Sequence, residues 1–159
     1  MAELRFKEFE KGDAKELLRL ITAMAEYEKL TDQLVATEEL LIHWILEEKK
    51  LEMLLIQEDG VNIGYVCFFN NFSTFLCRPG LYLEDLFILK EYRGRGYGEK
   101  SLKKLAQIAV ERGYGRFEWV CLKWNESAIN FYKKLGATEM TEWTMFRVDG
   151  QSLLEMGKK

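Results

Sequence analysis

The stretch Leu81–Lys104, LYLEDLFILKEYRGRGYGEKSLKK, decides how the rest of the chain folds. It begins as an apolar run, Leu81-Tyr82-Leu83 and Leu86-Phe87-Ile88-Leu89, interrupted only by Glu84 and Asp85. A run of this length, rich in aromatic and branched residues, predicts a buried strand. The strand gives way to Arg93-Gly94-Arg95-Gly96-Tyr97-Gly98, and a helical stripe of Leu102, Leu105, Ala106 and Ala109 follows, with Gly113 as its stop. Strand, glycine loop and helix in that order make an anion site. Glycines let the backbone turn its N–H groups toward a bound group, and the helix dipole adds about half a positive charge there.

Spacing narrows the kind of anion. A P-loop needs Gly-Lys and then Ser or Thr, and this loop has no such lysine. A dinucleotide fingerprint needs G-x-G-x-x-G, whereas Gly94, Gly96 and Gly98 alternate. Glu118 stands at about the distance that fold wants, but inside the run Phe117–Leu122 and not at its end. A nucleotide-binding domain is therefore disfavoured.

Outward from the loop, Leu51–Ile56 and Ile63–Phe69 read as two strands around the hairpin signal Asp59-Gly60. Leu4, Phe6 and Phe9 mark a first edge strand. Asp13 with Glu16 resembles a capping box, opening a helix whose stripe is Leu17, Leu20, Ile21 and Met24 and which runs out near Tyr27-Glu28. Thr37 starts a second helix with Leu40, Leu41, Trp44 and Ile45 on its apolar face. Downstream, Phe117–Leu122 reads as a fifth strand, Asn125 as the cap of a helix through Leu135, Trp143–Val148 as a last strand, and Leu153-Leu154 as part of a short closing helix.

The composition is that of one domain, residues 1–159, with 48% apolar and 31% charged residues. No apolar run approaches the ~20 residues of a membrane span, and MAELRFKEFE is too charged for a signal peptide. Three scattered cysteines, Cys67, Cys77 and Cys121, argue against a disulfide framework or a zinc site and for a reducing, cytoplasmic setting. The single histidine, His43, reads as an exposed helix residue, which leaves little room for His-based catalysis. Charge is uneven: Glu26–Asp59 holds ten acids against three Lys/Arg, net −7, while Lys90–Lys104 holds six Lys/Arg against two Glu, net +4. A basic loop beside an acidic half suits a polyanionic cofactor and a cationic second substrate. Solvated helix faces account for much of the acidic stretch as well.

Arg93-x-x-Gly96-x-Gly98 matches the (Arg/Gln)-x-x-Gly-x-(Gly/Ala) signature of the GNAT superfamily of acyl-CoA-dependent N-acyltransferases, and Trp124–Ala137, WNESAINFYKKLGA, resembles that family's second cofactor element. Leu83-Glu84-Asp85, Tyr92-Arg93-Gly94 and Trp124-Asn125-Glu126 most resemble the spermidine/spermine (diamine) and thialysine acetyltransferases, over essentially the whole chain. The resemblance implies an α+β domain with a twisted, mixed and mostly antiparallel sheet of six to seven strands and about four helices, working as a homodimer. It implies acetyl-CoA as co-substrate, no metal, and direct attack by a small amine in a ternary complex.

The same resemblance distributes roles. Gly94–Glu99, including Arg95 and Tyr97, with Arg93, would cradle the pyrophosphate. Leu86, Phe87 and Ile88 would meet the acetyl and pantetheine parts, and Asn125, Glu126, Ser127 and Ala128 would line the pantetheine arm. Glu84 would draw the amine proton through water, and Tyr132 would protonate the leaving thiolate. By alternation Glu84 and Asp85 should point to opposite faces of their strand, and Asp85 is assigned a structural role. Tyr27, Glu28 and Glu84 would hold the amine, with Glu142 as a further acid. Polyamine acetyltransferases carry Tyr-Asp-Pro-Trp in the loop where this chain has Phe72-Ser73-Thr74-Phe75, so one carboxylate for a long polycation is missing. A protein or peptide N-acetyltransferase and a non-catalytic acyl-CoA-binding module are the alternatives.

Overall fold

The computed structural model describes residues 2–159. Strands β1 (Leu4–Glu8), β2 (Glu52–Glu58), β3 (Val61–Ser73), β4 (Arg78–Ile88) and β5 (Phe117–Glu118) form one sheet in sequence order. β1 to β4 are antiparallel neighbours, and β5 runs parallel to β4. The helices are α1 (Ala14–Glu28), α2 (Glu38–Ile42), α3 (Tyr97–Glu111), α4 (Glu126–Lys134) and α5 (Gly150–Met156), with a π-helical turn at His43–Glu47. The chain divides into two compact units, residues 1–119 and 120–159.

In the first unit, alternation along the strands builds a core on each face. Met53, Leu55, Tyr65, Cys67 and Phe87 pack with Leu17 and Leu20 of α1 and Ile45 after α2. The alternate residues Leu54, Ile56, Val66 and Phe68 are also buried, as are Leu102, Leu105 and Ala109 on α3. Burying each such side chain fully contributes about 1.5–3 kcal/mol. The turn between β2 and β3 puts both Asp59 and Gly60 at positive φ, 48° and 82°, as a two-residue hairpin requires.

α1 begins and ends where its apolar stripe predicts, and α2 begins after Thr37 as expected but gives way at Ile42 to the π-helical turn, which carries Trp44 and Ile45. Thr37 caps α2 by accepting the N–H of Leu40 at 3.1 Å. The cap ahead of α1 differs from the expected pairing of Asp13 with Glu16. Asp13 instead accepts the N–H of Glu10 and pairs with Lys7. The lysine on β1 offers a charge-assisted bond that Glu16, engaged with Arg19, does not.

The sheet has five strands among the described residues, not six or seven. The expected strand Phe117–Leu122 pairs only as Leu81↔Phe117 and Tyr82↔Glu118 and then leaves β4. The expected last strand, Trp143–Val148, is irregular, and no other strand lies among the described residues of the second unit to complete a ladder with it. That unit consists of α4, α5 and connecting segments, with Asn125 capping α4 through the N–H of Ala128 at 3.3 Å. No described helix is long and apolar enough to cross a membrane.

Candidate active site

The glycine loop sits between the end of β4 and the start of α3. Gly94 and Gly96 hold φ of 78° and 80°, which an L side chain adopts only with strain. Gly96 is the residue before α3. Over residues 94–100 the first backbone N–H to find a carbonyl among the described residues is that of Lys100, bonded to Gly96 at 3.1 Å. The donors ahead of it are those that a helix start leaves free. Gly98 has ordinary helical geometry, and a Cβ added there would meet nothing within 4 Å. The loop thus has open space in front of a row of unpaired N–H groups, which fits a pyrophosphate.

The loop's basic side chains are engaged elsewhere. Arg95 makes two hydrogen bonds to the Glu58 carboxylate, at 3.0 and 2.9 Å, and a third to the carbonyl of Glu91. Tyr97 is buried and donates its hydroxyl to the same carboxylate at 2.5 Å. Lys100 lies over the Tyr97 ring. Arg93 donates Nε–H to the carbonyl of Ile88 at 2.8 Å and stacks its guanidinium 4.3 Å from the centre of the Tyr27 ring. Glu58, at the end of β2, was not singled out from sequence, because an acid at a hairpin end carries no signal of its partners.

β4 carries the acids. Its register against β3 shifts between Cys67 and Phe68: Cys67 faces Asp85 and Phe68 faces Leu83, so Glu84 is the extra residue of a bulge. The two acids differ in exposure at a bulge, which simple alternation does not describe. Glu84 is exposed, and Asp85 turns into the core beside Tyr65 and Cys67, both within reach of its Oδ2, the tyrosine hydroxyl at 3.2 Å. Burial, and then the charges of Glu84 and Glu28, push the Asp85 carboxyl up to about 6. The Cys67 thiol is pushed up by burial and the Asp85 charge, so both hydrogen-bonding neighbours of Asp85 are neutral. The charges of Glu84 on β4 and Glu28 at the end of α1 thus both act on the Asp85 carboxyl. Asp85, for which a structural role is expected, is bonded by a tyrosine hydroxyl and a thiol, and no cation is bonded to it among the described residues.

Beyond Tyr82 β4 has no further ladder pair with β5, so Leu86–Ile88 have no strand partner on that edge within the first unit. Tyr27 and Glu28, the last two residues of α1, are exposed. In the second unit, Tyr132 is half-buried on α4, and burial, then Cys121, raises its hydroxyl above the usual tyrosine value. Asn125, Glu126, Ser127 and Ala128 form the first turn of that helix with its cap, and Glu142 stands exposed in a turn. Of the expected residues, the first unit gathers Tyr27, Glu28, Glu84, Leu86–Ile88 and Arg93–Glu99. The second gathers Asn125–Ala128 and Tyr132. No cluster of metal-ligating side chains occurs among the described residues.

Comparison with known proteins gives the family. The profile described as acetyltransferase (GNAT) family matches residues 14–137. The chain is 36% identical over 171 residues to thialysine N-epsilon-acetyltransferase of Sus scrofa, covering all of both chains. It is 42% identical over 100 residues to an L-ornithine N5-acetyltransferase of Arabidopsis thaliana, covering 63% of this chain and 44% of the relative. Among solved structures, an integron cassette protein from the mobile metagenome of V. cholerae superposes with a TM-score of 0.82 at 25% identity, covering 98% of each chain. A loop with free N–H groups at a helix start, carboxylates on the strand that leads into it and these relatives together assign the chain to the acetyltransferase (GNAT) family, enzymes that use acetyl-CoA as co-substrate.

Proposed function

We propose that this enzyme acetylates the primary amine of a short cationic substrate, a small diamine or a lysine-like amine such as thialysine. The observation that carries the reading is the cluster of Glu28, Glu84 and Asp85, in which the charges of Glu84 and Glu28 act on the Asp85 carboxyl and no cation is bonded to Asp85 among the described residues. An ammonium ion offsets those charges. The thialysine acetyltransferases at 34–36% identity over nearly the full length support it. Both units belong to one acetyltransferase domain, residues 1–159, a reading supported by a family match that runs through residue 137.

Acetyl-CoA supplies the acetyl thioester; the remaining work falls to side chains and backbone. A free alkylammonium ion gives up its proton only near pH ~10.4, and it must do so before its nitrogen can attack. Glu84 takes that proton through water. An N–H at Leu86–Ile88 is offered to the acyl oxygen as negative charge develops. Tyr132 on α4 holds a proton at Oη for the departing sulfur, as a tyrosine hydroxyl does at neutral pH. Asn125–Ala128 line the pantetheine arm, and Tyr27 and Glu28, with Glu142 as a further acid, hold the amine. Free, scattered cysteines support work in the cytoplasm, and the family resemblance supports a homodimer.

The substrate length follows from the missing loop acid. Phe72-Ser73-Thr74-Phe75 offers no carboxylate to the far ammonium of a long polyamine, and each charge-assisted contact is worth roughly 1.5–3 kcal/mol. Measuring kcat/KM side by side for thialysine, a short diamine, spermidine and spermine tests this. Short amines should equal or exceed spermine, and a strong preference for spermine would refute the assignment.

A further inference from the structure

Arg93 is the first residue of the signature, and its position invites a role as a phosphate ligand. Its contacts point elsewhere. Nε is committed to the Ile88 carbonyl, one face of the guanidinium lies over Tyr27, and Phe87 stands 5.5 Å away on β4. Tyr27 is 63% exposed on the last turn of α1, and its ring lies against the Arg93 guanidinium. That turn needs support. Lys29 leaves the helix in the left-handed region at φ 59°, and no basic residue of its own stands in the last turn to meet the helix dipole. Arg93 therefore joins three parts: the end of β4 at Ile88, the segment Tyr27–Glu28, and the loop that begins at Gly94.

We propose that Arg93 is a positioning residue for the amine site, clamping Tyr27–Glu28 against the end of β4, and not a ligand of the cofactor phosphates. The proposal rests on the amine-acetyltransferase reading above for its kinetic consequence, but its structural half is independent of it. The clamp also links the two substrates. Whatever orders the loop at Gly94 restrains Arg93, and Arg93 restrains the residues that grip the amine, so bound acetyl-CoA favours amine binding.

The conservative variant is R93K, which keeps the charge but loses the planar face and the Nε–H bond. Y27L attacks the same contact from the other side. Three readouts are taken on each variant and on the double variant, after thermal unfolding shows that each is folded. The first is amide exchange of Lys29 and Leu30, whose N–H groups close the last turn of α1 on Ala25. The second is calorimetric affinity for CoA, and the third is steady-state kinetics with the best amine of the panel.

Exchange at Lys29 and Leu30 should quicken in R93K and in Y27L. CoA affinity should stay within about twofold, and the amine KM should rise about tenfold, with most of the loss in kcat/KM falling on KM. The double variant should be little worse than either single one, because both remove one contact. Unchanged exchange in R93K overturns the proposal, as does a loss of CoA affinity of tenfold or more with amine KM unmoved. If the wild type acetylates no amine, the functional reading falls while exchange and CoA affinity still decide the clamp.

Discussion

The glycine loop and the acid cluster at the end of α1 face opposite electrostatic tasks and solve them differently. The loop is rich in positive side chains, yet Arg93, Arg95 and Lys100 are turned to Tyr27, Glu58 and Tyr97, and the groups left free at the start of α3 are backbone N–H groups. The acid cluster does the reverse. Glu28 and Glu84 lie close enough to raise the Asp85 carboxyl, and among the described residues the side-chain hydrogen bonds to that carboxyl come from a tyrosine and a thiol. A diphosphate is a fixed shape that many oriented dipoles recognise at little cost in reorganisation. An ammonium is a point charge that needs bare opposite charge and water to carry its proton. Charge in the sequence marks both regions, but in the loop it is spent on neighbouring side chains and in the cluster it is left for the proposed amine.

Replacing Glu84 by Gln is the largest expected break in the acid half. The amide keeps the shape and cannot accept a proton, so kcat should fall by about 10²–10⁴ at neutral pH and partly recover at high pH, where free amine is abundant. Parallel pH–rate profiles for both proteins would remove Glu84 from proton transfer. In the loop half, Gly98→Val is cleaner than a change at Gly96. Gly96 requires positive φ, so a side chain there strains the fold itself. At Gly98 the backbone is helical and the new side chain enters open space in front of the free N–H groups. CoA affinity by calorimetry should drop about a hundredfold, the size of one or two lost charge-assisted contacts, with the unfolding temperature unchanged or raised. Unimpaired CoA binding would mean that the cofactor lies elsewhere.

Strand β4, the loop and α3 were legible in sequence because apolar runs, glycine spacing and a 3.6-residue stripe are local signals. So were α1, α2 and the β2–β3 turn. The bulge at Glu84 was not, because it depends on how Cys67 and Phe68 pair across the ladder and β4 alone cannot reveal it. Strand five was read too long for a related reason. Phe117–Leu122 has a strand's composition, but only Leu81 and Tyr82 offer it an edge. Trp143–Val148 likewise has the composition of a strand and no ladder in its own unit. Arg93 and Arg95 were seen as charges near a phosphate, since the sequence does not show that Glu58 and Tyr27 compete for them.

Asp85→Asn separates the two halves most finely, because it changes stability and binding in opposite directions. The carboxyl is pushed from 3.8 up to about 6, so the folded protein holds this proton more tightly than the unfolded chain. For a raised carboxyl the sign is unfavourable at neutral pH. Its contribution is fully present below about pH 4 and is lost as pH climbs through about 6, leaving the charged form at pH 7 costing up to about 3 kcal/mol. Asn accepts from Tyr65 equally well and carries no charge. At pH 7–8 the variant should therefore unfold several degrees higher than wild type, at about 2–4 °C per kcal/mol, and the difference should vanish on titration to about pH 4. Binding runs the other way. An ammonium near Asp85 needs the ionised form, so the amine KM of the variant should rise about tenfold, and the wild-type KM should rise below about pH 6. A variant that gains stability without losing amine affinity would leave Asp85 as an inert strain in the core and hand the ammonium to Glu28 and Glu84 alone.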